Sequence, residues 1–154
     1  MTSGSENGNQ GLTLDDLSVG QIFMSGTHQL DEPQIVAFAR SFDPQPFHTE
    51  AVAAEQTFFN GLAASGWHTA AITMKLLVSS ANISGGLIGA GAELTWPRPT
   101  RATDILQVET EVIEIKESRS RPDRGIVTIR SITRNQDKQT LQIMISRLVV
   151  PRRK

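Results

Sequence analysis

Two stretches of the chain carry hydrophobic residues with the spacing of a helix. Ile35, Phe38, Ala39 and Phe42 follow at intervals of three and four, which places them on one helix face. Residues 66–80 are apolar almost all round and contain one formal charge, a pattern typical of a buried helix. The sequence therefore predicts an amphipathic helix followed by a longer one inside the protein.

Most of the remaining chain alternates between apolar and polar residues, as strands do. The predicted strands cover residues 21–29, 90–96, 104–116, 126–134 and 141–150. Ile22 and Met24 share one side of the first strand, and the apolar set changes sides within residues 104–116, which predicts a bulge. The expected fold class is α+β, with an antiparallel five-stranded sheet wrapped around a long central helix.

Residues 41–50, Ser-Phe-Asp-Pro-Gln-Pro-Phe-His-Thr-Glu, combine an acid, a histidine and two prolines. Because Pro44 and Pro46 fix their own φ and push the preceding residue into extended geometry, they predict a stiff, irregular loop. Such a loop can hold Asp43 and His48 against one water or one substrate proton, as general acid/base catalysis requires. The alternative is an ordinary turn with a histidine that bonds a backbone group.

The residues after this loop are predicted to form a short helix and a packed aromatic pair. Thr49 is expected to cap a helix over residues 50–55, and the positive end of that helix would favour a neutral His48. Phe58 and Phe59 follow, and we expect core packing rather than substrate contact for both.

Residues 43–48, Asp-Pro-Gln-Pro-Phe-His, followed by Glu50, resemble the Asp-x-Asn-Pro-x-His-x-(Asp/Glu) motif of the MaoC-like dehydratases. That family includes the (R)-specific enoyl-CoA hydratases. Residues 62–67, Leu-Ala-Ala-Ser-Gly-Trp, stand where the family has an Ala-His-Gly-Met-like turn before a long apolar helix. Gln45 replaces the usual Asn and Ser65 the frequent His. The resemblance implies the hot-dog fold and extends in element order over most of the chain.

The resemblance also implies a reaction. Asp43 and His48 would hold the water that is added to, or removed from, the C2=C3 bond of an enoyl thioester. The N–H of Gly66, at the start of the buried helix, would donate to the enolate oxygen. The alternative for Gly66 is a purely structural role, as a turn glycine at a helix start. The substrate would be an acyl-CoA thioester, and no cofactor is expected.

Four further residues are expected to bind the substrate or frame the site: Gln45, Phe47, Ser65 and Trp67. Gln45 would orient the loop, whereas Phe47 and Trp67 would wall the acyl pocket, with core packing as an equal alternative for both. His68, inside the apolar helix, is predicted to be a satisfied core histidine rather than a catalyst.

Basic groups that could meet the phosphates of CoA occur at Arg98, at Arg101, in the 119–124 turn and at residues 152–154. Of these, we favour the 119–124 turn. The family resemblance further implies a homodimer, or a higher homo-oligomer, formed by pairing of sheet edges, because a single unit would leave backbone groups unpaired at an edge.

Two rival functions are compatible with a hot-dog fold. A hot-dog thioesterase would place its catalytic acid on the central helix, but residues 66–80 contain neither Asp nor Glu. A non-catalytic acyl-thioester-binding module would keep the pocket without needing Asp43 and His48 together. The joint presence of these two residues favours a hydratase or dehydratase.

Composition limits the remaining possibilities. The 154 residues suit one domain, predicted over 12–154, after a disordered tail at 1–11. The formal charge of −1 argues against nucleic acid as the main partner, and no apolar run approaches the roughly 20 residues of a membrane helix. The absence of cysteine fits a cytoplasmic location. The spacing of the three histidines predicts no metal site.

Overall fold

The computed structural model describes residues 11–154. The predicted disordered tail therefore lies, except for Gly11, outside the described residues. Gly11 packs closely against the backbone of residues 82–84. Next to it, the N–H of Leu12 donates to the carbonyl of Asn82 at 2.6 Å, and the N–H of Ser84 donates to the carbonyl of Leu12 at 2.8 Å. The first described residues are thus tied to the segment after the long helix.

Four helices and five strands follow a 3-10 turn at Leu14–Asp16. The helices are α1 (Glu32–Phe42), α2 (Pro46–Thr49), α3 (Ala51–Ala54) and α4 (Gly66–Ser80). The strands are β1 (Ile22–Gln29), β2 (Ile88–Thr95), β3 (Ile105–Glu117), β4 (Arg124–Arg134) and β5 (Thr140–Pro151). Among these helices, none has the length and hydropathy needed to cross a membrane.

The five strands form one antiparallel sheet in the order β1-β3-β4-β5-β2. Strands β3, β4 and β5 form a meander at its centre, and β1 and β2 are its edges. The register between β3 and β4 shifts between Val112 and Glu114, which confirms the predicted bulge. The predicted five-stranded antiparallel sheet is confirmed.

Helix α4 lies across the sheet and packs against β1, β3, β4 and β5. Ile72, Leu76 and Leu77 face the sheet and are buried. The opposite face is open in the single chain, since Met74 and Val78 are 43% and 52% exposed. The predicted burial of this helix therefore holds for one face only in the single chain, because the sheet covers only one side of it.

Helix α1 has the predicted start but a shorter buried face. Asp31 caps it by accepting a hydrogen bond from the N–H of Gln34 at 2.9 Å. Ile35 and Ala39 are fully buried, whereas Phe42, in the last turn, remains 73% exposed. The apolar stripe seen in the sequence thus ends one turn before the helix does.

Replacement of Leu77 by Ala tests how much the helix-sheet contact contributes to stability. Leu77 is fully buried among side chains of β3, β4 and β5. We expect Leu77→Ala to lower the free energy of unfolding by about 2–5 kcal/mol, since it removes apolar contacts and leaves a cavity. Urea denaturation measures the change. Val52→Ala, at a position that is 80% exposed, is the control and should change stability by about 0.5 kcal/mol or less. Equal losses in both variants would contradict this account of the core.

Candidate active site

The segment between α1 and α2 brings the candidate acid and histidine together. Asp43 caps the C-terminus of α1, where its N–H donates to the carbonyl of Ala39 at 2.8 Å. Pro44 prevents the helix from continuing. Pro46 then starts α2, a position that proline favours. His48 therefore lies in a helical turn, and only the part of the segment before Pro46 is irregular.

The prediction that Thr49 caps the following helix is wrong. Thr49 is the last residue of α2 and does not cap the next helix, because Glu50 occupies the N-cap of α3. His48 thus sits in the final turn of α2.

The imidazole of His48 is 5% exposed and held in one orientation. Its Nδ1 lies 2.6 Å from the carbonyl oxygen of Ala63. Because a carbonyl can only accept, Nδ1 carries the proton of this hydrogen bond. The ring of Phe47 meets the imidazole edge-on at 4.5 Å. Nε2 is therefore the nitrogen left for chemistry, and it points at Asp43 Oδ2 from 3.3 Å.

The carboxylate of Asp43 is oriented through both oxygens. Gln45 Nε2 donates to Oδ1 at 2.5 Å, and Ser65 Oγ donates to Oδ2 at 2.7 Å. Partial burial raises the pKa of Asp43, but the hydrogen bonds from Gln45 and Ser65 and the nearby His48 outweigh it, so that the pKa lies below its ordinary value. Asp43 is accordingly ionised at neutral pH.

The two groups can bind a single water molecule. A neutral imidazole presents a lone pair at Nε2, and an ionised carboxylate can only accept hydrogen bonds. A water placed beside both atoms can donate one O–H to each. Such a water would be oriented and polarised for attack while a base stands ready to take its proton.

A cavity of about 510 Å³ lies beside this pair. It is lined by Asp43, His48, Phe58, Phe59, Ala64, Gly66, Trp67, Thr69 and the segment 96–100. Gly66 is the first residue of α4, and the first N–H groups of a helix have no partner within the helix. A Cβ at Gly66 would come within 2.7 Å of Trp96 Cε2, so this close approach requires glycine.

Residues 18–135 match the family model described as MaoC like domain. The chain belongs to the MaoC-like family. It is 54% identical to a MaoC-like dehydratase from Rhodospirillum rubrum, whose crystal structure superposes with a TM-score of 0.91 over 94% of this chain and 99% of that one. It is also 33% identical to the uncharacterised protein YdeM of Bacillus subtilis strain 168 over 81% of this chain and 89% of the relative.

A further similarity is to the R-hydratase PhaJ1 from Pseudomonas aeruginosa. The two chains are 26% identical, with a TM-score of 0.74 over 93% of this chain and 88% of PhaJ1. These structures identify the architecture as the hot-dog fold predicted from the sequence. The family motif read in residues 43–48 thus lies in a chain that shares the fold of this family throughout its described part.

Only some of the predicted site residues line the cavity, and the others lie behind it. Asp43, His48, Gly66 and Trp67 reach the cavity. The other three predicted residues lie behind it: Gln45 and Ser65 hydrogen-bond Asp43, and Phe47 packs on His48. Ser65 also caps α4, since its Oγ accepts from the N–H of Trp67 at 3.2 Å. Each of these three side chains therefore contacts the acid or the histidine from behind the cavity.

Phe58 and Phe59 differ from the prediction of core packing. Phe58 is 93% exposed, and both rings line the cavity. Phe59 is half-buried against Phe47 at 5.1 Å. The pair lies on the loop between α3 and α4, outside the sheet, so the core cannot cover it.

Apart from Arg98, the cavity residues of the segment 96–100 were not predicted from the sequence, nor was the role of the Ala63 carbonyl. The segment reads Trp-Pro-Arg-Pro-Thr and directly follows β2. The signal for a cavity wall was present in the sequence: an aromatic residue ends the strand, and an arginine follows it between two prolines. Nothing in the sequence indicated the role of the Ala63 carbonyl, because every residue has a backbone carbonyl.

Among the candidate phosphate ligands, Arg98 lies at the cavity. Arg101 is occupied, since its guanidinium donates to the carbonyls of Phe59, Gly61 and Leu62. The favoured 119–124 turn lies at the far end of the sheet, where Arg124 pairs with Pro151, whereas the cavity is at the end where Trp96 meets Gln142. Within one chain the turn therefore cannot serve this cavity.

The terminal arginines are also engaged elsewhere: Arg152 pairs with Asp15 and Glu117, and Arg153 pairs with Asp16. Among residues 11–154, no three His, Asp or Glu side chains converge in a way that could hold a metal ion.

His68 is buried as predicted, but it is not satisfied. It is 7% exposed and stacks on Phe38 with ring centroids 4.5 Å apart. Within residues 11–154, nothing hydrogen-bonds its Nδ1. Burial lowers the pKa of His68 to about 4, with a smaller contribution from the charge of His28. His68 is therefore neutral in the folded protein at neutral pH.

The buried neutral His68 predicts acid sensitivity between pH 6.5 and 4. The unfolded chain, with the ordinary pKa of 6.5, binds a proton in this range that the folded chain excludes, so stability falls as the pH falls. The full loss of unfolding free energy is roughly 3 kcal/mol, because a difference of one pKa unit corresponds to about 1.36 kcal/mol.

Urea denaturation of wild type and His68→Leu at a series of pH values measures this contribution, because leucine cannot titrate. The wild type should lose stability relative to the variant as the pH falls from 6.5 to 4. Parallel pH curves for the two proteins would show that His68 is not the source.

Proposed function

We propose that this chain is a hydro-lyase of the (R)-specific enoyl-CoA hydratase type, which adds water to, or removes it from, the C2=C3 bond of an acyl-CoA thioester. The observation that carries the proposal is the 3.3 Å approach of His48 Nε2 to Asp43 Oδ2 beside the cavity. The family membership and the similarity to a MaoC-like dehydratase and an R-hydratase support the reaction class.

In the hydration direction, the water between the two side chains attacks C3. Its oxygen bonds to C3 while His48 Nε2 takes one proton, and the C2=C3 electron pair moves to form an enolate on the thioester. The ionised Asp43 stabilises the positive charge that the ring acquires. His48 Nε2 then returns this proton to C2 and becomes neutral again, which closes the addition, and dehydration is the reverse sequence.

The enolate oxygen needs a donor that is in place before charge develops. We assign this role to the N–H of Gly66, because Gly66 is the first residue of α4 and lines the cavity, and a helix start favours negative charge. Because the chain itself supplies the base, the acid and the oxyanion donor, the proposed chemistry uses no cofactor.

The proposed substrate is an acyl-CoA thioester. Trp67 and Phe58 are 59% and 93% exposed at the cavity and offer apolar surface to the acyl or pantetheine portion. Arg98 lies on the same cavity and could donate charge-assisted hydrogen bonds to a CoA phosphate. The absence of cysteine supports a cytoplasmic location, where CoA thioesters are available.

We further propose a homodimer built on β2 and the open face of α4. Strand β2 is a sheet edge with most of its residues exposed, and unpaired edge strands invite pairing with another chain. Trp67, Met74 and Val78 recur on one side of α4 and are all exposed in the single chain. Pairing of two β2 edges would cover both features at once.

Substitution of the two candidate catalytic groups tests the reaction. We expect Asp43→Asn and His48→Ala each to lower turnover of crotonyl-CoA by about 10² to 10⁴, as the removal of an acid/base group does. Loss of absorbance of the conjugated thioester measures hydration. Asp123→Asn and His28→Ala are matched controls outside the cavity and should keep wild-type activity. Full activity of Asp43→Asn or His48→Ala would discard the assignment.

A panel of enoyl-CoA and 3-hydroxyacyl-CoA thioesters distinguishes the rival functions. Loss or gain of conjugation without thiol release indicates hydration or dehydration, whereas free thiol indicates a thioesterase. Binding without either signal indicates an acyl-thioester-binding protein.

The dimer is tested by a charge on the open face of α4. Met74→Asp should convert the dimer to monomer, because a carboxylate buried without a partner in an apolar interface is strongly unfavourable. Light scattering after size-exclusion chromatography measures the mass. Val19→Asp, at another exposed apolar residue, is the control and should remain dimeric. A monomeric wild type would refute the dimer.

A further inference from the structure

A buried glutamine connects the protein core to the cavity wall. Gln142 is completely buried. Its side-chain oxygen accepts a hydrogen bond from Trp96 Nε1 at 2.9 Å, and its Nε2 donates to Thr73 Oγ1 at 3.1 Å. A buried amide is unfavourable unless its groups are paired. Here both the oxygen and the nitrogen of the amide are hydrogen-bonded, and the oxygen holds the indole of Trp96.

The direction of every hydrogen bond in this network is determined. The indole N–H of Trp96 can only donate, so the oxygen of Gln142 faces it and Nε2 faces Thr73. The Thr73 hydroxyl donates to the carbonyl of Thr69 at 2.8 Å. Thr133, 2.6 Å away, must then donate to Thr73. The network has one consistent arrangement, which fixes the indole of Trp96.

The fixed indole closes the gap between the start of α4 and the end of β2. Its atoms would lie 2.7 to 3.0 Å from a Cβ at Gly66, and its ring meets Trp67 in a T-shaped contact at 5.5 Å. Gln142, which bonds Trp96, and Thr73 of α4, which bonds Gln142, are both completely buried. No acyl chain can pass between Gly66 and Trp96 in this arrangement.

We propose that Trp96 is a specificity-determining residue that limits the acyl group to short chains, and that Gln142 is the positioning residue that holds it. The inference rests on the proposed acyl-CoA substrate. With the thioester oxygen at the N–H of Gly66, the acyl chain starts beside Trp96, and the rigid indole blocks its path under α4.

Binding of saturated acyl-CoA thioesters tests this without turnover, because they have no double bond to hydrate. Isothermal titration calorimetry compares butyryl-CoA with octanoyl-CoA. We expect the wild type to bind both with affinities within about threefold, far from the roughly fourfold gain per methylene that burial of the chain would give. In Trp96→Ala, octanoyl-CoA should bind at least about tenfold more tightly than butyryl-CoA for the same reason.

Gln142→Leu tests whether the position of the Trp96 indole matters in addition to its size. It keeps the indole but removes its hydrogen-bond acceptor, so we expect part of the gain for octanoyl-CoA and a shift in tryptophan fluorescence. That signal reports on the cavity, since the only two tryptophans of the chain, Trp67 and Trp96, both line it. Ser131→Ala removes a buried hydrogen bond to Thr110 in the sheet and is the control for a merely structural effect. It should keep the wild-type preference and fluorescence.

The outcomes distinguish this inference from the proposed function. If wild type and Trp96→Ala bind both thioesters but octanoyl-CoA is favoured equally in each, the limit set by Trp96 is refuted and the hydratase proposal stands. A Gln142→Leu protein with wild-type preference and fluorescence refutes the positioning role. If neither thioester binds to any variant, the proposed substrate class fails, and this inference fails with it. Trp96→Leu, a less drastic change, replaces Trp96→Ala if that variant does not fold.

Discussion

The 3.3 Å separation between Asp43 Oδ2 and His48 Nε2 is maintained by groups that hold each side chain from its other side. The carbonyl of Ala63 accepts a hydrogen bond from the Nδ1–H of His48, and Ser65 Oγ donates one to Asp43. Ala63 and Ser65 both lie in the short segment that leads into α4. The site therefore exists only when the segment after α1 is docked on the start of α4, and the fold and the chemistry depend on the same contact.

Helix α4 combines three environments along one short element. At its start, Ser65 caps the helix and holds Asp43, and Gly66 lines the cavity. Its inner face carries Leu77 into the sheet, and its outer face exposes Met74. The inner face is not purely apolar, because Thr73 anchors the polar network that reaches Trp96. Placing hydroxyls and an amide in the core is unfavourable for packing unless they are paired, and here their pairing gives the cavity wall a defined shape.

Local patterns predicted the elements well because they depend on near neighbours. The alternation of β3, the bulge near Val112 and the cap at Asp31 were all readable from adjacent residues. Errors arose where burial depends on distant elements: Phe42 follows the helical spacing of Ile35 but projects beyond the core. The role of Arg101 was equally invisible, since three carbonyls of a distant loop determine what its guanidinium binds.

The sequence by itself determined the strands, the two main helices, the family motif and the presence of an acid and a histidine around two prolines, because each of these is encoded within a few consecutive residues. Only the tertiary structure decided which imidazole nitrogen is free, which oxygens of Asp43 are occupied, and that Trp96 lines the cavity. Those facts depend on contacts across 15 to 46 residues, between Ala63 and His48 and between Trp96 and Gln142. Chain folding, and no local pattern, brings these groups together.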